Sequence, residues 1–127
     1  MPTREHRSDA GSSTVLALGI IAVMITVTVA ALVVLGAVRA AHTARSAADL
    51  AALAGAVEYQ RRPGGSACVE ARRVARRHEV EMVTCGISAG GEVTVTTAAP
   101  IPLRLGGVGP EHAEGRARAG PQPSEAG

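Results

Sequence analysis

The stretch that decides the fold is Arg45–Tyr59, RSAADLAALAGAVEY, in which most residues are small and apolar. It follows closely on Thr14–Val38, TVLALGIIAVMITVTVAALVVLGAV, which carries no charge at all. Crossing a hydrocarbon core takes ~20 apolar helical residues, and this run exceeds that. Only Thr and Gly interrupt it, and membrane helices tolerate both. The rival reading is a cleaved signal peptide, because Val38-Arg39-Ala40 places small residues at the cleavage positions. Signal-peptide apolar cores run ~7–15 residues, so the length favours a membrane-spanning helix. Arg39 to Gln60 has no Gly or Pro before Gly55 and is dense in Ala, the best helix former. Nothing breaks the chain between the two stretches. The sequence therefore predicts one helix from about Thr14 to Glu58, ~65–70 Å long at the α-helical rise.

Composition narrows the rest. A chain of 127 residues has room for one domain at most. Although 46% of it is hydrophobic, it has no Phe or Trp and a single Tyr, so the aromatic side chains that usually dominate a soluble core are missing. The net charge of +2 is too small to argue for nucleic acid, and no basic patch is interleaved with aromatics. Orientation in a membrane is set by competing signals. Arg4 and Arg7 precede the span while Arg39 and Arg45 follow it, so positive charge does not favour an inside N-terminus. The short N-terminal tail and the paired cysteines argue for that orientation, with the bulk of the chain exported.

The chain divides into five pieces: a leader over residues 1–13, the span over 14–38, an Ala-rich helical extension over 39–60, a small module over 66–98, and a Pro/Gly-rich tail over 99–127 that reads as disordered. Arg61-Arg62-Pro63-Gly64-Gly65 ends the long helix. Ser66 is a suitable N-cap for a short helix from Ala67 to about His78. In that helix Cys68, Ala71, Val74, Ala75 and His78 share one face. Glu79–Ile87 is a candidate strand, Ser88-Ala89-Gly90-Gly91 a turn, and Glu92–Thr97 a second strand with alternating Val and Thr. The fold class is thus α+β and membrane-anchored: a long helix, a short helix and a two-stranded hairpin.

So small a module falls below the size at which a hydrophobic core usually suffices. Cys68 and Cys85, the only two cysteines, would staple the short helix to the first strand, worth ~3 kcal/mol for such a loop. The alternative is two unrelated buried thiols. A disulfide needs an oxidising compartment, which again points to export.

No catalytic set stands out. Cys68, His78, Cys85 and His112 match no paired metal-ligand spacing. Ser12 and Ser13 have no positioned base, and Gly90-Gly91 opens no helix that would cradle phosphate. The residues imply no enzyme, no cofactor, no metal and no small-molecule substrate. Arg72, Arg73, Arg76 and Arg77 form either a solvated face or a contact for anionic headgroups or an acidic partner. The small residues carry a sharper message. Ala47, Ala51 and Gly55 recur every four positions, as do Ala44, Ala48 and Ala52, which lets helices approach backbone to backbone. Leu50, Leu53 and Val57 add an apolar stripe beside them, with Ala54 in the same row. This pattern predicts association with other helices.

GSSTVLALGIIAV leading into a span, then RSAADLAALAGA, then a Cys-bearing helix, a second Cys and a short hairpin together resemble the TadE-like proteins of the tight-adherence (Flp-type) pilus machinery. The likeness is in particular to the compact actinobacterial members. The likeness covers roughly Gly11 to Thr97, and Ala47–Ala56, AADLAALAGA, is its most specific part. The resemblance implies a minor pseudopilin or assembly factor anchored in the cell membrane by a single pass, with its C-terminal part extracytoplasmic. It implies pilin or pseudopilin and Tad platform proteins as partners, and prepilin-type cleavage between Gly11 and Ser12. The chain departs from type IV-like pilins at Leu16, where they usually carry a Glu that pairs with a neighbour's N-terminal amine. The alternative within the resemblance is an uncleaved anchor that supports assembly. Outside it stands a secreted effector or binding protein that begins near Ala41 after loss of its signal.

Overall fold

The structure, a computed structural model, describes residues 9–122, with side chains from Gly11 onward. The chain forms α1 (Asp9–Arg61), α2 (Ala67–Arg77), β1 (Glu81–Ile87), β2 (Val93–Pro100), a short 3-10 turn (Leu105–Gly107) and β3 (His112–Ala119). The architecture is α+β, as the residues predict. It divides into two units, with the boundary between Leu35 and Gly36.

In the first unit the helix stands free of tertiary packing. Every residue from Gly11 to Leu35 is exposed except half-buried Val33. Apolar side chains thus point outward all round, a pattern that lipid rather than water solvates. Thr26 and Thr28 turn their hydroxyls back onto the Ala22 and Met24 carbonyls, both at 2.8 Å. This satisfies their donors within the helix, as a hydrocarbon surrounding requires. The segment is long and apolar enough to cross a membrane.

The second unit is built on a three-stranded antiparallel sheet in the order β1-β2-β3. β2 supplies an inward row of Val93, Val95, Thr97 and Ala99, all buried. Across from it on β3 lie Ala119, Ala117, Gly115 and Ala113. On β1 a register shift between Met82 and Thr84 marks a bulge. One extra residue there lets Met82 and Cys85, three apart in sequence, both turn to the core side. The row α1 turns to this core is nearly all alanine: Ala40, Ala44, Ala47, Ala48, Ala51, Ala52 and Ala56 are at most 6% exposed. α2 adds Ala67, Ala71 and Ala75. The largest fully buried side chains are Val93, Val95 and Thr97. That is how a chain without Phe or Trp forms a core: backbones approach closely, and many short contacts stand in for a few bulky ones.

The close approach is visible at individual residues. Thr97 Oγ1 donates to the Ala44 carbonyl at 2.7 Å. At Gly115 a Cβ would overlap the backbone of Ala44 and Arg45. Gly91, at φ +80°, lies under the ring of Tyr59; a Cβ there would sit 2.7 Å from Cε1. Cys68 and Cys85 are joined in a disulfide, with their Cα atoms 5.9 Å apart.

The structure corrects three expectations. β3 and the turn before it lie in the tail expected to be disordered, so the sheet has three strands rather than two. The compact unit is correspondingly larger than residues 66–98, since it takes in the Ala-rich part of α1 and β3. β3 forms because Ala113, Gly115, Ala117 and Ala119 are small enough to lie against α1, while Glu114, Arg116 and Arg118 face water. Ser66 precedes α2 but makes no side-chain cap; its backbone is in the helical region and its hydroxyl donates to Glu58 Oε1 at 2.8 Å. Most of the leader, residues 1–8, and the last residues, 123–127, lie outside the described residues.

Candidate interaction surface

α1 presents two opposite faces in the second unit. On the inner face Ala47 and Ala51 are fully buried. Gly55 lies so close to its neighbours that a Cβ would stand 3.1 Å from both the Ala67 carbonyl oxygen and Val93 Cγ1. The rows of small residues therefore pack within the chain, against its own sheet and the helix α2. Ala44, Ala48 and Ala52 take the same inward direction.

The outer face keeps the other members of the predicted set. Leu50, Leu53 and Val57 are 44%, 56% and 42% exposed, and Ala54 between them is half-buried. Their spacing of three, four and seven is that of one helical stripe. Together with Val74 of α2 they floor a shallow groove between α1 and α2. Arg61, Arg73, Arg77 and His78 lie along it, with Glu58 and Glu70. Arg73 Nη2 contacts Glu70 Oε2 at 2.5 Å; that hydrogen bond and the carboxylate's charge raise the guanidinium pKa above its ordinary value. Arg72, Arg76 and Arg77 form no ion pair among the described residues. They are exposed on the same helix. The groove is apolar at its base and cationic along the α2 side.

Gly11 and Ser12, the candidate processing site, lie in the first turns of α1 and are exposed. Among the described residues no group of His, Cys, Asp or Glu is arranged to hold a metal ion.

Residues 11–58 match the Tad family model, Flp pilus-assembly TadE/G-like. Over these residues, less than half of the chain, the protein is similar to that family. The matched segment lies wholly within α1 and takes in both the apolar run and the two-faced Ala-rich part. No curated protein and no solved structure matches the chain. The TadE/G-like segment ends at Glu58, so α2 and the sheet lie beyond it. Those elements close over the inner face of the segment and leave its Leu50 face open. Sequence reasoning found both faces of α1 but not that the chain's own sheet joins α2 in covering the inner one: a stripe of small residues reads alike whether a helix or a sheet lies against it.

Proposed function

We propose that this TadE/G-like protein is a single-pass membrane-anchored pseudopilin or assembly factor of a Tad/Flp-type pilus or secretion system. It docks on pilin, pseudopilin or platform subunits through the Leu50, Leu53 and Val57 face of α1. The role is structural, with no catalytic step. The observation that carries this reading is that the family-matched helix has one face closed by its own sheet and the other left apolar and uncovered. The unit bearing the disulfide stands on the extracytoplasmic side, where an oxidising compartment keeps Cys68–Cys85 closed.

Leu53→Arg in the full chain tests the docking face. Its side chain is exposed, so the fold should be kept, with a melting temperature within a few degrees of the parent, while co-purification with pilus components from the native host is lost. Ala51→Leu is the contrast, because that position is 0% exposed and overpacking costs about 1–3 kcal/mol. Unchanged co-purification by Leu53→Arg would remove the outer face from the account.

A further inference from the structure

The loop joining β2 to β3 has properties that docking through α1 leaves unused. Leu103, Leu105 and Val108 are 53%, 55% and 80% exposed, crowded into one short turn. Single exposed apolar residues are ordinary, whereas a cluster on a pinned loop marks a contact surface. The loop is pinned. The Ile101 N–H donates to the Glu111 carbonyl at 2.9 Å and closes its base, and the Val108 N–H donates to the Leu105 carbonyl at 3.2 Å. Gly106, Gly107 and Gly109 take positive φ, which lets the chain curl tightly.

Its one charged side chain is turned back onto the loop. Arg104 is the only charged residue from Pro100 to Pro110. Its Nη1 contacts Glu111 Oε1 at 3.1 Å, and its Nη2 donates to the carbonyls of Gly107 and Gly109, at 2.5 and 3.1 Å. Pro100, Pro102 and Pro110 have no backbone N–H to satisfy. Three loop positions therefore carry no backbone donor, and both terminal nitrogens of Arg104 are paired within the loop, while its Nε is buried without a partner.

Position supplies the occupant. Gly55 packs beside Val93, and Ala44 beside Thr97, so β2 runs antiparallel to α1. Further along, Ala40 and Ala99 share the core, with Ile101 and Ala113 packed against it. Beyond that point α1 continues into Gly36–Val38, the last residues of the apolar run, and β2 continues into the loop. Both leave the core at the same end. We infer that the Leu103–Val108 turn inserts among lipid headgroups, giving the protein a second membrane contact besides the span. This rests on the reading of residues 14–38 as a membrane span.

Single cysteines for an environment-sensitive fluorophore, placed one at a time in the full chain in phosphatidylcholine vesicles, test it. Labelling without reductant keeps Cys68–Cys85 closed. The sites are Val108→Cys on the loop, Val69→Cys on α2 and Val23→Cys in the apolar run, all exposed. Quenchers carried on the lipid chains should quench the labels at residues 23 and 108 several-fold more than the label at 69. Quenching at 23 without quenching at 108 overturns the loop contact, leaves the anchor standing, and frees the turn for a protein partner. No quenching at 23 overturns the anchor and the loop contact with it. Equal quenching at 69 and 108 also overturns the inference, since the unit would then lie on the bilayer without preference for the turn.

Discussion

Thr97 sits opposite Gly115 across β2 and β3, and both meet the backbone of α1 at Ala44. The Thr hydroxyl reaches the helix carbonyl, and the glycine removes the Cβ that would hold the sheet away. Thr97→Val keeps the shape and deletes the hydrogen bond, so thermal unfolding of the full chain in detergent should show a loss of about 1 kcal/mol. Gly115→Ala should cost more, about 1–3 kcal/mol by overpacking, because the obstacle is helix backbone rather than the end of a flexible side chain. Equal costs for the two would mean that β3 can shift away from α1, and that the close approach is not essential. Neither residue's role is legible in the sequence. A threonine in a Val/Thr alternation and a glycine between Glu114 and Arg116 look interchangeable with their neighbours until the helix is placed over them.

The elements differ in how far the sequence discloses them. α1 and α2 are plain from Ala density, the absence of breakers and the Pro63-Gly64-Gly65 stop. β2 is plain from EVTVTT. β3 is hidden by its composition: HAEGRARA alternates small and charged residues faithfully, but Ala, Gly and Glu are all poor strand formers. Alternation alone held the signal, and the close seat on α1 is what makes small residues the right ones. The disulfide acts at this scale too, since it fastens α2 to β1 across a separation of 17 residues. Replacing Cys68 and Cys85 together by Ser should lower stability by about 3 kcal/mol, read as an earlier melting transition that reductant no longer shifts. A reductant-insensitive parent protein would show that the alanine contacts between α1 and α2 suffice without it.

At the scale of the whole molecule, an apolar helix with exposed sides is joined to a unit whose core is made almost entirely of alanine and valine. The maturation state of that molecule is read from its N-terminus. Intact-mass spectrometry of the protein from native membranes should show a start at Ser12 if prepilin-type processing occurs despite Leu16. A start at Met1 or Pro2 would identify an uncleaved anchor, and a start near Ala41 in the culture medium would overturn the membrane role. A further consequence follows from the contact between Tyr59 and Gly91. Tyr59 is the only aromatic residue, in a chain with no Trp or Phe. The protein's entire intrinsic ultraviolet emission therefore comes from one ring, lodged where the end of the long helix meets the hairpin turn. Its intensity and anisotropy report the opening of that one joint, without an added dye and without background from elsewhere in the chain.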